Sequence, residues 1–213
     1  MHLRTLSLAL GGLLLFLILA CGGGSSSSPA PTPAPAAAAG LAYTDPSGSG
    51  WRLVKDASST PTRLVLNLVG PAGTLTRGVG IHLQAPAGVK FGTFADGLAI
   101  HDTGVYDLLS EADDATEPVA LVAGVKAGNV LTAGIFQKAR AKAAKDSGAA
   151  LCQFILGFDT TAGLKVGDAL PLQMQKAKVI PQDIGTATDD LRVLDQKMRM
   201  ADITVAVGTL TAR

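Results

Sequence analysis

Beyond the first 40 residues the sequence contains two imidazole side chains and one thiol that could act in catalysis or bind a metal, namely His82, His101 and Cys152. Neither histidine has a second ligand at a metal-binding spacing such as H-x-H, H-E-x-x-H or C-x-x-C, so a site using both could arise only through the fold. Alternation places His82 on the solvent side of a strand and Cys152 beside Phe154 on an apolar side, where burial disfavours the reactive thiolate. We therefore predict no catalytic residue and no metal ligand.

Two charged stretches could bind ions or lipids instead. The acidic stretch Glu111–Glu117 offers oxygen ligands for Ca²⁺, but it lacks the D-x-D-x-D-G spacing of a calcium loop. The basic stretch Lys138–Lys145 could face anionic lipid or an acidic partner. We interpret both as solvated surface. The sequence also lacks the G-x-S-x-G elbow and the glycine patterns that cradle phosphate, so no cofactor is predicted.

Composition limits the range of partners. Charged residues make up 16% of the 213 residues, and the net charge is +1. A nucleic-acid-binding protein usually shows a strong basic excess, so we predict no nucleic acid partner. Aromatic residues are sparse at 4%. The abundance of Val, Leu, Thr and Gly is typical of short strands joined by tight turns.

The amino terminus resembles that of bacterial lipoproteins. A short basic start is followed by an apolar run from Leu6 to Ala20, which is too short for a bilayer span but fits a signal peptide. The run ends in Ile18-Leu19-Ala20-Cys21, which is similar to a lipobox, with Leu19 a less usual residue at its position. The resemblance implies cleavage before Cys21 and acylation of this cysteine, so that the membrane is one partner. Two or more acyl chains make a stable anchor.

The residues after Cys21 predict the location and the domain boundaries. Gly22, in place of an acidic residue, favours the outer membrane by analogy with enteric lipoproteins. The stretch from Gly22 to Gly40 reads GGGSSSSPAPTPAPAAAAG, a flexible and partly polyproline tether with a reach of roughly 60 Å when extended. We therefore predict a signal peptide over 1–20, a tether over 21–40 and one domain over 41–213 in the cell envelope.

The domain shows repeated period-2 alternation of apolar residues, which is typical of half-buried strands. Turn signals such as Pro71-Ala72-Gly73 separate these runs. The parity slips near Gly208, which indicates a β-bulge. About nine strands are predicted, and they favour an all-β antiparallel sandwich. They are Trp51–Lys55, Arg63–Leu68, Gly78–Gln84, Leu98–His101, Val119–Val125, Val130–Gln137, Cys152–Phe158, Leu172–Ile180 and Ile203–Val207.

Two stretches have helical character. Gln137–Lys145 reads QKARAKAAK, which is rich in strong helix formers, and Gly148 could end the helix. Asp189–Met200 places Leu191, Leu194 and Met198 roughly on one face. We therefore predict one or two short helices in addition to the strands.

The strand pattern between Arg63 and Val179 resembles that of cohesins. The segments that carry the resemblance are Gly78–Gln84 (GVGIHLQ), Ala87–Phe91 (AGVKF), Val125–Leu131, Ala150–Leu156 and Gly167–Val179. Cohesins and related carbohydrate-binding modules are nine-stranded jelly-roll sandwiches. The resemblance therefore implies a module that binds or scaffolds.

Three functions follow as alternatives. The leading hypothesis is a membrane-anchored, non-catalytic binding or scaffolding lipoprotein that presents a cohesin-like domain to an envelope or cell-surface protein. The second is a tethered carbohydrate-binding module, which an aromatic strip on one sheet face would favour. The third is an enzyme with a scattered site, which a cleft joining His82 or His101 to carboxylates would favour. The sequence identifies no binding residues beyond the lipidated Cys21.

Overall fold

The computed structural model describes residues 33–103, 119–137, 144–181 and 200–213, and the folded unit runs from Pro35 to Arg213. These residues form thirteen strands and one short 3₁₀ helix, Thr160–Ala162. The strands are β1 (Leu41–Thr44), β2 (Arg52–Lys55), β3 (Arg63–Val69), β4 (Leu75–Gln84), β5 (Val89–Gly92), β6 (Ile100–Asp102), β7 (Val119–Lys126), β8 (Val130–Gln137), β9 (Lys145–Asp146), β10 (Ala150–Phe158), β11 (Gln173–Pro181), β12 (Ala201–Asp202) and β13 (Thr209–Ala212).

The first large sheet has the order β2-β3-β10-β5, and β6 pairs with β10 next to β5. All of its pairs are antiparallel, and Leu66 lies opposite Phe154. Side chains on successive strand residues point to opposite faces. The leucines of β3 at positions 64, 66 and 68 therefore share the inner face, and all are buried.

The second large sheet has the order β12-β11-β4-β8-β7, with β9 paired to the start of β4. Its pairs are also antiparallel, and Ile81 lies opposite Ala133. Val79, Ile81 and Leu83 alternate with less buried residues and are at most 1% exposed. They form the inner face of this sheet.

The inner faces of the two large sheets share one hydrophobic core. Leu66 and Phe154 of the first sheet and Ile81 and Leu131 of the second belong to the same buried cluster. Burying one such side chain contributes about 1.5–3 kcal/mol. The described residues therefore form an all-β sandwich, as the alternation predicts.

A third sheet pairs β1 with β13 and joins the two ends of the folded unit. The residues just before β1 also pair with the domain, because the Ala38 N–H donates to the Leu164 carbonyl at 2.9 Å and the Gly40 N–H donates to the Arg213 carbonyl at 2.9 Å. We call Ala36–Gly40 the strap. The folded unit thus begins before the predicted start at Leu41, since these backbone groups find partners in the domain.

Two predictions about elements need correction, and a third lies almost wholly outside the described residues. Ile203–Val207 is not a strand, because only Ala206 bridges to Arg52, although Val205 is buried as the alternation requires. The predicted helix Gln137–Lys145 is wrong at both ends, because Gln137 is the last residue of β8 and Lys145 is the first residue of β9. Its middle, residues 138–143, lies outside the described residues. Of the second predicted helix, residues 189–199 also lie outside them.

The strand count also exceeds the predicted nine, because β1, β5, β9, β12 and β13 were not predicted. Each of these has only two to four residues. Strands of this length place at most two apolar residues on one face, which is a weak period-2 pattern. The slip near Gly208 is real, since Val207 is half-buried and Leu210 is buried, but it precedes β13 and is not a bulge within a ladder.

Candidate functional site

Several predicted site residues lie outside the part of the chain that the structure describes. They include the acylation residue Cys21 and the acidic stretch Glu111–Glu117. Of the basic stretch, Lys145 is described, in β9. Among the described residues, no helix is long and apolar enough to cross a membrane.

The sandwich separates the two histidines and the thiol. His82 lies on the second large sheet and His101 on the first, so the two do not meet. Cys152 is buried on the inner face of β10 at 2% exposure. His101 lies opposite the next residue, Gln153, and so points away from the core. The fold therefore does not bring the thiol and either imidazole together.

His101 does meet a carboxylate, in an exposed turn. Its Nε2 lies 2.8 Å from Asp96 Oδ2, and its ring stacks on Phe94 with centroids 3.7 Å apart. The pKa of Asp96 lies below its usual value, chiefly because the Leu98 backbone N–H donates to the carboxylate, with a further contribution from His101. The Arg63 guanidinium lies 5.5 Å from the Phe94 ring centroid. These contacts hold the turn that contains Phe94 and Asp96 over the outer face of the first sheet.

The same outer face carries a further polar network. Asp56 Oδ2 accepts hydrogen bonds from the Asn67 amide at 2.9 Å and the Gln153 amide at 3.3 Å. Hydrogen bonds from Ser58, and then from Asn67, hold the pKa of Asp56 below its usual value. Val65 lies on this outer face but is only 1% exposed. The chain's own loops therefore cover much of this side of the sandwich.

The outer face of the second sheet is built differently. Gly80 of β4 lies directly opposite Gly134 of β8, and Gly124 of β7 lies opposite Thr132. Gly80 and Gly134 alternate with buried residues and so face outward, and Gly124 shares this face because it pairs with Thr132, which lies between the buried Leu131 and Ala133. We call this surface the glycine platform, formed by Gly80, Gly124 and Gly134 with the residues that share their cross-strand rows, namely Lys178, Val122, Lys176, His82 and Thr132.

No contact among the described residues requires glycine at these three positions. A β-carbon on Gly80 would lie no closer than 3.6 Å to any described atom, and one on Gly134 no closer than 3.5 Å. A β-carbon on Gly124 would meet no described atom within 4 Å, and none of the three has a positive φ. At Gly78, by contrast, a β-carbon would clash with Phe136. Glycine weakens a strand interior and often marks a place where another backbone approaches closely.

A shallow depression of about 170 Å³ lies on the platform above Gly80, bordered by Met200, His82 and the two lysines. Lys178 Nζ pairs with Asp202 Oδ1 at 2.8 Å, and this hydrogen bond is the main cause that lowers the pKa of Asp202. Lys176 is exposed and makes no ion pair among the described residues. Among the described residues, the platform therefore combines a half-buried centre of glycines with a basic border.

Sequence reasoning did not identify the platform. Glycines within Gly78–Gln84 and Val130–Gln137 gave no functional signal by themselves, because the sequence does not show which strands lie side by side. Their juxtaposition depends on the register in which Gly80 opposes Gly134 and His82 opposes Thr132. The alternation of apolar residues did, however, indicate which face of β4 is exposed.

No protein family and no curated protein matches the chain by sequence. Among solved structures, it is similar to a chain of a type II cohesin–X–dockerin complex from Acetivibrio cellulolyticus, an N-terminal interface mutant, with a TM-score of 0.47 and 9% identity over 75% of this chain and 95% of that chain. It is also similar to a type III cohesin module from the cellulosomal ScaE cell-surface anchoring scaffoldin of Ruminococcus flavefaciens. There the TM-score is 0.37 with 15% identity, over 77% of this chain and 73% of that chain.

Proposed function

We propose that the chain is a membrane-anchored, non-catalytic binding lipoprotein of the bacterial cell envelope, which docks a protein partner on the glycine platform. The observation that carries the proposal is the set of outward glycines that the fold does not need. A strand glycine costs roughly 0.5–1 kcal/mol relative to alanine. Three such positions on one outward face are best explained by the close approach of another polypeptide.

The sequence supports the anchor and its location. The lipobox-like Ile18–Cys21 and the Gly22 that follows favour a lipid anchor in the outer membrane. The tether lets the domain search a volume around its anchor, which raises the effective concentration of a partner held at the same surface. Cys152 lies on the inner face of the first sheet and His101, in β6, points to its outer face, an arrangement that favours binding over nucleophilic catalysis.

The positions of the described aromatic rings favour a protein partner over a sugar. Sugar stacking requires a free ring face at the surface. Tyr43 is buried, Trp51, Phe91 and Phe158 pack partly buried against the core, and one face of the Phe94 ring is stacked on His101. Phe136 is half-buried on the same side of β8 as Gly134, so the described residues place one ring on this face and form no aromatic strip there. The platform centre is formed by glycines, which suit the approach of a polypeptide backbone.

The test compares the same substitution on the two faces of the sandwich. Gly134→Val places a side chain on the platform, whereas Gly157→Val places one on the outer face of the first sheet, where a β-carbon would lie 3.8 Å from the Lys90 carbonyl oxygen. Full-length variants are expressed in cells, and proteins that co-purify with them from solubilised envelopes are quantified. We expect Gly134→Val to remain folded and lose its partner while Gly157→Val retains it. Equal recovery of the partner by both variants would refute the platform as the docking site.

A further inference from the structure

Positive charge predominates on the platform. Cross-strand pairing arranges its residues in rows that run across the strands. One row runs from Asp202 through Lys178 and Gly80 to Gly134. The next runs from Lys176 through His82 and Thr132 to Gly124, and a third joins Gln173, Gln84, Val130 and Lys126. Among the described residues, these rows contain three lysines, one histidine and one carboxylate. The chain as a whole has a net charge of only +1, so this face is locally basic.

The single carboxylate on these rows is already paired. Asp202 holds Lys178 at 2.8 Å, which leaves Lys176 and Lys126 without an ion-pair partner among the described residues. A lysine ammonium without a carboxylate beside it attracts acidic groups of a partner. Complementary charge speeds encounter and selects between partners.

The depression between these charges is lined partly by apolar groups. Gly80, Ala133 and the Met200 side chain border a volume of about 170 Å³, with Lys176 and Lys178 on one side. Met200 is 41% exposed, and its flexible thioether can adapt to an inserted group. The depression has room for one aliphatic side chain.

We propose that the partner docks through an acidic segment that carries an aliphatic side chain. The aliphatic side chain enters the depression above Gly80, and neighbouring carboxylates pair with Lys176 and Lys126. This inference rests on the proposed function, because it specifies the chemistry of the partner on the same platform.

The experiment places a photo-crosslinking amino acid at Gln175, an exposed rim position, in full-length protein in native envelopes. The control position is Ala57, an exposed residue in the turn that follows β2. Crosslinked peptides are sequenced. We expect a protein to be captured at Gln175 and not at Ala57, through a segment with net negative charge that contains Leu, Ile, Val or Met.

Charge reversal supplies the second arm. Lys176→Glu should reduce capture roughly fivefold to tenfold at low salt, and Lys55→Glu, on the first sheet, should not. At about 1 M salt, where the Debye length is about 3 Å, wild-type capture should fall towards the level of Lys176→Glu. Gly80→Leu, which fills the depression, should also abolish capture, while Gly157→Leu on the other face should not.

The outcomes separate the two proposals. No capture at Gln175 above the level at Ala57 overturns the proposed function and the inference with it. Capture through a neutral or basic segment, or capture that Lys176→Glu leaves unchanged, overturns the inference alone. An acidic segment whose capture depends on Lys176 and Gly80 supports both.

Discussion

Tyr43 joins three segments of the chain through one hydroxyl group. The hydroxyl donates to the Leu53 carbonyl at 3.0 Å and accepts from the Gly208 N–H at 2.7 Å. Burial raises the pKa of Tyr43 to about 12. The packing is close, because a β-carbon on Gly208 would clash with the Thr44 carbonyl oxygen and would lie 2.8 Å from the Tyr43 hydroxyl.

Tyr43→Phe should lower the free energy of unfolding by about 1–3 kcal/mol, because it leaves two buried backbone groups without a partner. Denaturant unfolding of the full chain measures this loss, and Thr44→Val, which removes an exposed hydroxyl, is the control. The raised pKa adds a pH dependence: the wild type should lose stability as the pH rises from about 10 through 12. A wild type and a Tyr43→Phe variant with the same alkaline unfolding profile would contradict this role.

Neighbouring residues of β3 should respond differently to truncation. Leu66 is fully buried, so Leu66→Ala should cost roughly 2–5 kcal/mol of stability. The alternation alone predicts that Asn67→Ala costs little. The structure revises this expectation to about 1 kcal/mol, since the Asn67 amide donates to Asp56. Chemical unfolding of both variants checks the order, and equal losses would mean that the faces of β3 are assigned wrongly.

At the scale of elements, the strap explains why the folded unit begins before β1. The Ala39 N–H donates to the Arg213 carbonyl at 2.6 Å, and the Val166 N–H donates to the Ala36 carbonyl at 2.9 Å. Alanine and proline composition is typical of a linker, so the sequence places these residues in the tether. The hydrogen bonds are made by backbone groups, which leave no signature in side-chain patterns.

Proline substitutions test the strap. Ala38→Pro removes the N–H that donates to the Leu164 carbonyl, and it should lower the melting temperature by several degrees, as expected for about 1 kcal/mol. Ala37→Pro is the matched control, because among the described residues the Ala37 N–H donates no hydrogen bond. Differential scanning calorimetry distinguishes the two variants. If both melt as the wild type does, the strap contributes nothing to stability.

The elements that the sequence predicts well are the ones with long alternation. β3, β4 and β10 each have at least seven residues with apolar side chains on one face, and all three were predicted. β5 was missed because Val89–Gly92 has four residues and ends in glycine. Ile203–Val207 alternates without joining a ladder, since only Ala206 bridges to β2. Alternation of apolar residues therefore predicts which side chains are buried. It does not predict strand pairing, which depends on which other segment of the chain lies alongside.

At the scale of the whole molecule, the sandwich follows from the alternation, whereas the platform does not. Two buried faces rich in Leu, Val and Ile can be recognised from the spacing of residues such as Ile81 and Leu66. The platform requires knowledge of register between strands that are far apart in the chain, as with Gly80 and Gly134. Long-range pairing of this kind leaves no periodic trace in a single sequence.

The proposed lipid anchor is also tested at the scale of the whole molecule. Cys21→Ser should move the protein from the membrane fraction to the soluble fraction, because the acyl chains proposed on Cys21 would be lost. Metabolic labelling with palmitate, followed by fractionation, measures both effects. Cys152→Ser is the control, since Cys152 is buried in the core and should not carry label. Wild-type protein that is unlabelled and soluble would refute the lipoprotein proposal.

The strap also determines which hydrogen bonds bear a pulling force applied to the amino-terminal end of the folded unit. β1 and β13 run antiparallel, with Leu41 opposite Ala212, and the strap ends beside Arg213 at the same end of this pair. A pull on the chain before Pro35, directed along β1, loads the β1–β13 hydrogen bonds in shear, so that they must break together. Peeling would break them one by one at lower force. A domain held by its amino-terminal end would therefore resist extension at its point of attachment while the platform, on another sheet, stays unstrained.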